Sequence, residues 1–172
     1  MIHVYHGEGK GKTTAAAGLA LRALGNGIQV VFVQFLKARP SGEVTIFSEL
    51  SGIKVLRNDT DYGFYKKMTE EQKSKVTMLH NQNIRHALSL IEDGKCGLLV
   101  LDELFAAWQY ELLDKKEIQR LLSMAEEEQF ELVMTGRNPD TLFMEKADYI
   151  TQMKKERHPF DKGITARKGI EY

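Results

Sequence analysis

The sequence predicts an α/β fold in which a mostly parallel sheet carries helices on both faces. Apolar runs alternate with helical patterns from one end of the chain to the other, and the runs are short and rich in β-branched residues. At 172 residues the chain has the length of one ordinary domain. Because no repeat, low-complexity segment or linker divides it, we predict a single domain over residues 1–172.

Each predicted strand is an apolar run bounded by polar or glycine-containing segments. The clearest is the β-branched and aromatic run from Ile28 to Leu36, which is typical of a buried strand. Strands are predicted over residues 2–5, 28–36, 53–56, 98–101, 130–135 and 148–153. In parallel sheets of this kind, ligands bind beyond the carboxyl ends of the strands.

Helices are predicted between these strands from their start and stop signals. Thr69 and Gln72 can form a capping box ahead of the longest helix, and Asp114 marks another start. Asn138 and Pro139 are predicted to open a short helix, with proline at its first position. The predicted helices cover residues 13–24, a short segment ending at residue 50, residues 69–93, residues 114–127 and a short segment from residue 138.

Composition excludes several classes of partner. The 24 basic and 24 acidic residues give a formal net charge of zero, which argues against general binding of nucleic acid or of an anionic membrane. No apolar run approaches the roughly 20 residues that span a bilayer, and the chain begins in a strand-like segment without a signal peptide. We therefore expect a cytoplasmic protein.

A glycine-rich loop between the first predicted strand and the first helix predicts a phosphate site. Glycines allow consecutive N–H groups to turn toward an anion, and the helix N-terminus adds partial positive charge. Lys12 can reach terminal phosphates and the Thr13 hydroxyl can bind Mg²⁺. His6 stands where the usual P-loop pattern has its first glycine. The predicted nucleotide-binding residues are Gly7, Glu8, Gly9, Lys10, Gly11, Lys12, Thr13 and Thr14.

A second motif predicts the metal end of the same site. The apolar strand at residues 98–101 ends in Asp102 and Glu103, and P-loop proteins hold Mg²⁺ at such a position. Together with Thr13, these carboxylates form the predicted metal set. The two motifs narrow the predicted fold to the P-loop NTPase, RecA-like type.

The sequence resembles the ATP:corrinoid adenosyltransferases over essentially its whole length. The most specific part is the tail, which begins His158-Pro159-Phe160-Asp161 and which generic P-loop proteins lack. The matching motifs lie at residues 7–16, 18–23, 33–37, 100–104, 135–137, 147–148 and 158–172. The resemblance implies transfer of the 5′-deoxyadenosyl group of ATP to the Co(I) centre of a reduced corrinoid, with release of tripolyphosphate, in adenosylcobalamin biosynthesis or salvage.

The resemblance also implies roles for individual residues and partners. Thr13 and Glu103 would bind Mg²⁺, or Mn²⁺ in its place, with Asp102 in the surrounding shell, and Lys12 and Arg137 would complete the catalytic set. Phe64 and Tyr65 would contact the corrinoid, although Lys66 stands where the family usually has tryptophan. The implied partners are ATP, a reduced corrinoid, an electron-donating reductase or flavoprotein, and a second copy of the chain in a homodimer.

Two other functions are compatible with the P-loop alone. One is a RecA-like phosphotransferase or ATP hydrolase, which needs a polar residue to position water or an acceptor hydroxyl. The other is a non-catalytic switch that responds to nucleotide. The products distinguish them: tripolyphosphate indicates adenosyl transfer, ADP indicates phosphoryl transfer or hydrolysis, and no turnover indicates a switch.

Overall fold

A six-stranded sheet forms the centre of the protein. The computed structural model describes residues 1–38, 41–127 and 129–170, so Glu171 and Tyr172 of the tail motif lie outside the described residues. The strands are β1 (Ile2–His6), β2 (Val30–Gln34), β3 (Ile53–Arg57), β4 (Leu98–Asp102), β5 (Glu131–Gly136) and β6 (Tyr149–Gln152). They lie in the order β3-β2-β4-β5-β1-β6, and all neighbours pair in parallel. The predicted parallel α/β architecture is confirmed.

Within the described residues, six α-helices connect or flank the strands. They are α1 (Lys12–Leu24), α2 (Gly42–Phe47), α3 (Glu70–Glu92), α4 (Leu104–Gln109), α5 (Lys115–Glu126) and α6 (Thr141–Glu145). The predicted capping box is present: the side chains of Thr69 and Gln72 each accept a hydrogen bond from the other residue's backbone N–H. Asp114 caps α5 as predicted. Among the described helices, none combines the length and apolarity that crossing a bilayer requires.

Three details of the predicted elements are wrong. α4 is absent from the prediction, because this six-residue helix follows β4 directly and its N-cap, Glu103, makes no side-chain cap hydrogen bond. α6 begins at Thr141, capped by Asp140, because Asn138 takes a left-handed φ of 50° and turns the chain first. β2 ends before Leu36, whose φ of 56° is incompatible with a strand.

The sheet is covered on both faces, as its strand sequences require. Along β2, Val31 and Val33 belong to the apolar cluster with α3 and α5, whereas Phe32 belongs to the cluster with α1. β4 alternates in the same way. Because successive side chains of a strand point to opposite faces, a fully apolar strand serves two helix layers.

The parallel arrangement brings several loop segments to one edge of the sheet. Gln34 at the end of β2 is in register with Asp102 at the end of β4. His6 at the end of β1 is in register with Gly136 at the end of β5. The residues that follow these four strand ends are therefore neighbours in space, at the edge where ligands bind in such folds.

Candidate active site

The glycine-rich loop between β1 and α1 takes a conformation that its glycines permit. Gly7 and Gly11 have φ angles of 110° and 109°, in the region that side-chain-bearing residues rarely adopt. The Gly9 N–H donates to the Met153 carbonyl at 2.6 Å. A Cβ atom at Gly7 or Gly9 would lie only 2.6 Å from that same carbonyl oxygen. The loop is therefore held closely against the chain that follows β6.

Lys12 is the first residue of α1, and its side chain reaches back into this loop. Its Nζ donates to the carbonyl oxygens of Gly7 and Gly9 at 2.7 and 2.8 Å. Burial lowers the pKa of Lys12 below its ordinary value. The ammonium is thus positioned within the loop where a P-loop lysine would meet the terminal phosphates, and a bound anion would compete with these carbonyls for it.

Asp102 organises the buried end of the site. Its side chain is 0% exposed. Its Oδ1 accepts hydrogen bonds from the hydroxyls of Thr13 and Thr135 at 2.9 and 2.7 Å. Its Oδ2 accepts from Gln34 Nε2 at 3.1 Å and from Lys37 Nζ at 3.0 Å. Four side chains, from α1, β2, β5 and the loop after β2, therefore converge on one carboxylate, and the structure brings the two predicted motifs together.

Glu103 lies next to this network but is more accessible. Its carboxylate is 28% exposed and its Oε1 lies 3.4 Å from Lys37 Nζ. Its backbone has a left-handed φ of 61°, and its N–H donates to Thr135 Oγ1 at 3.1 Å. Backbone strain of this kind in a residue other than glycine is concentrated at functional sites.

The donor set suits a hard divalent cation. Two carboxylates and the Thr13 hydroxyl supply only oxygen atoms, which Mg²⁺ prefers. Within the described residues, no three His, Cys, Asp or Glu side chains cluster as a ready-made metal site. A Mg²⁺ ion held here would take its remaining ligands from phosphate oxygens and water, as it commonly does with nucleotides.

Lys37 is a site residue that the sequence analysis did not single out. Its Nζ donates to Thr13 Oγ1 at 3.0 Å, besides its contacts with Asp102 and Glu103. Burial alone would lower the pKa of Lys37, but the two carboxylates outweigh burial and raise it above the ordinary value. In the sequence Lys37 is only a residue that follows a predicted strand, and the structure adds that this strand lies beside β4. The same reasoning applies to Gln34 and to Thr135.

Arg137 lies beside the phosphate loop. Its guanidinium forms an ion pair with Glu8 at 2.8 Å, and both side chains are largely exposed. Its charge contributes to lowering the pKa of Lys12, after the larger effect of burial. The predicted residues Glu8, Lys12 and Arg137 are therefore brought together at one side of the loop.

A cavity of about 680 Å³ opens from the start of α1. Its lining includes the polar residues Thr13, Thr14 and Lys37 and the apolar residues Ile46, Phe64 and Ile170. The volume lies within the range of small-molecule sites. The start of α1, the segment around Phe64 and the tail thus contribute to one concave surface.

The two aromatic residues predicted to contact the corrinoid take different positions. Phe64 lines the cavity and is 76% exposed. Tyr65 is not among the described residues that line it. Tyr65 stacks on Tyr110 with a centroid separation of 4.2 Å, and Lys73 lies over its ring. Packing on the domain therefore accounts for Tyr65, whereas Phe64 has an exposed apolar face with no core around it.

Comparison with known proteins identifies the family. The family model for the ATP:corrinoid adenosyltransferases BtuR/CobO/CobP matches residues 1–172. The chain is 34% identical to the Corrinoid adenosyltransferase of Pseudomonas aeruginosa, covering 100% of this chain and 83% of that protein. It is 32% identical to the Corrinoid adenosyltransferase of Escherichia coli K12, covering 100% of this chain and 85% of that protein.

A solved structure supports the fold. The KaiC-like protein of Pyrococcus horikoshii OT3 matches with a TM-score of 0.55 at 10% identity, covering 91% of this chain and 74% of that one. At this identity the likeness concerns the fold alone, and it agrees with the predicted α/β fold. The family match and the relatives agree with the resemblance inferred from the sequence motifs. The chain belongs to the ATP:corrinoid adenosyltransferase family.

Proposed function

We propose that the protein transfers the 5′-deoxyadenosyl group of ATP to the Co(I) centre of a reduced corrinoid and releases tripolyphosphate. The observation that carries this proposal is the junction of two surfaces. Thr13, the residue after Lys12 and a hydrogen-bond donor to the buried Asp102, forms with Lys37 a polar surface of the cavity. Ile46, Phe64 and Ile170 form an apolar surface of the same cavity. Phosphates suit the first surface, and a large, flat, partly apolar substrate suits the second.

The chemistry explains why no catalytic base is needed. The electron pair of Co(I) attacks C5′ of ATP, the cobalt–carbon bond forms, and the bond between C5′ and its oxygen breaks. The leaving triphosphate takes that electron pair, and the cobalt becomes formally Co(III). Co(I) is a strong nucleophile, so the protein has only to align the reactants and stabilise the charge that develops on the leaving group.

Each residue of the site would have a separate role in this reaction. Lys12 would bind the terminal phosphates, and its short bonds to the loop carbonyls support a fixed position for its ammonium. Thr13 and Glu103 would hold Mg²⁺ or Mn²⁺, while Asp102 orients Thr13 through its hydrogen bond. When bound, the ion supplies positive charge to the triphosphate. Arg137 would contact the nucleotide from the side of Glu8.

The corrinoid side of the proposal rests on Phe64. Its exposed ring lines the same cavity as Thr13 and Thr14. A corrin face lying against this ring would bury apolar surface from both partners. An electron-donating reductase or flavoprotein, and a second copy of the chain, complete the proposal on the strength of the family resemblance.

The test is a product analysis with chemically reduced cobalamin, ATP and Mg²⁺. We expect a photolabile cobalt–carbon product in equal amount to inorganic tripolyphosphate. Lys12→Ala is the matched variant, and it should lose at least about tenfold in kcat/KM, equivalent to ~1.4 kcal/mol of transition-state stabilisation. ADP as the nucleotide product would support phosphoryl transfer or hydrolysis instead, and absence of turnover would support a nucleotide switch.

A further inference from the structure

The ammonium of Lys37 lies at the point where the metal ion is expected. It is 3.0 Å from Thr13 Oγ1, 3.0 Å from Asp102 Oδ2 and 3.4 Å from Glu103 Oε1. Thr13 and Glu103 are the side chains assigned to the metal ion itself, and Asp102 belongs to the shell around it. The protein therefore carries its own cation among the oxygen atoms that would surround Mg²⁺.

In the nucleotide-free protein, the Lys37 ammonium compensates the negative charge of Asp102. The carboxylate is fully buried, and its other described partners, Thr13, Thr135 and Gln34, are neutral. A buried carboxylate without a positive partner is strongly destabilising. Lys37 neutralises that charge and also shields Asp102 from Glu103, the carboxylate next to it in the chain.

Lys37 and a metal ion cannot share this position. Mg²⁺ lies about 2.0–2.1 Å from its oxygen ligands, closer than an ammonium approaches. Two cations among the same three oxygens would repel each other strongly in a partly buried site. Metal binding therefore requires the ammonium to leave.

The surroundings of Lys37 allow that movement. Its side chain is 35% exposed and lines the cavity beside Thr14. Its main chain is held separately, because its carbonyl accepts a hydrogen bond from Arg57 at 3.2 Å. The flexible four-carbon stem can therefore turn the ammonium into the cavity while the backbone stays in place.

We propose that Lys37 is a resident counter-cation that holds the metal-binding oxygens in the nucleotide-free protein and exchanges with the metal ion when Mg²⁺–ATP binds. This inference rests on the proposed Mg²⁺–nucleotide site. The displaced ammonium finds new acceptors in the triphosphate, so the nucleotide makes the exchange favourable. Free Mg²⁺ offers no such acceptor and binds poorly. Lys37 thus couples metal binding to nucleotide binding and positions positive charge for the leaving group.

The test measures Mn²⁺ binding to the nucleotide-free protein, by the electron paramagnetic resonance signal of the unbound ion. Lys37→Met should bind Mn²⁺ roughly tenfold more tightly than the wild type or better, because the competing positive charge is gone. Lys37→Arg, which keeps the charge, should resemble the wild type. Lys95→Met removes an equal charge at an exposed site paired with Asp93 and should also resemble the wild type. Equal or weaker Mn²⁺ binding by Lys37→Met would overturn the proposal.

A stability measurement keeps the proposal testable if Lys37→Met folds poorly. The melting temperature of Lys37→Met should fall in EDTA and recover in excess Mg²⁺, whereas that of the wild type should respond little. A loss that Mg²⁺ does not reverse would assign Lys37 a purely structural role and refute the exchange. Neither measurement involves turnover. A wild type that forms no tripolyphosphate would refute the proposed reaction, while the Mn²⁺ result would still decide the exchange.

Discussion

Gly9 is the position where a single methyl group tests the phosphate loop most directly. In Gly9→Ala, the new Cβ would lie 2.6 Å from the Met153 carbonyl oxygen and 2.8 Å from that of Lys154. Both atoms belong to the backbone, so neither can rotate away as a side chain would. Ordinary contact begins near 3.4 Å, and the loop must therefore retreat by about 0.8 Å. The retreat also disturbs the 2.6 Å hydrogen bond from the Gly9 N–H.

The displacement is transmitted to Lys12. The Gly9 carbonyl accepts a hydrogen bond from Lys12 Nζ, so a shifted loop also shifts the ammonium. A misplacement of about 1 Å can cost on the order of 100-fold in rate. We expect kcat/KM for ATP, measured with chemically reduced cobalamin, to fall roughly 30- to 100-fold, or ~2–3 kcal/mol.

Gly18→Ala is the matched control. Gly18 lies in α1, and a Cβ there would meet nothing within 4 Å. Alanine within a helix is more favourable than glycine by roughly 0.5–1 kcal/mol, so this variant should be slightly more stable, with kcat/KM unchanged. A Gly9→Ala enzyme with wild-type kcat/KM and ATP affinity would refute the close packing of the loop as a requirement for catalysis.

Three further predictions concern the metal, the corrinoid and a buried histidine. Glu103→Gln should raise the Mg²⁺ concentration for half-maximal rate about tenfold or more with the fold intact, and an unchanged titration would place the metal elsewhere. Phe64→Ala should lose on the order of tenfold when Co(II) is supplied and much less with prepared Co(I); equal losses would indicate a general binding or folding defect. Burial lowers the pKa of His80 to about 4. The unfolded chain then binds the proton more readily, so the free energy of unfolding should fall by up to ~3 kcal/mol as pH drops from about 6.5 to about 4. Urea denaturation across that range tests this, and an identical pH slope in His80→Gln would contradict it.

Much of the fold was predictable because its signals are local. A β-branched apolar run such as β2 is typical of a buried strand. A capping pair such as Thr69 and Gln72 is typical of a helix start. The alternation of these elements then implies a parallel sheet. The exceptions are turns in which Leu36 or Asn138 takes a positive φ, because packing imposes that conformation on residues without a strong preference for it.

The phosphate loop, the Asp102–Glu103 pair and the family were predictable from the sequence, since each rests on short local motifs. Which other side chains join the site depends on the tertiary structure. Lys37 is 65 residues from Asp102 in the chain, yet its Nζ lies 3.0 Å from that carboxylate. The pairing of β2 beside β4 brings them together, and no local pattern encodes which strands become neighbours. The separation of Phe64 from Tyr65 was decided in the same way, by the position of Tyr110.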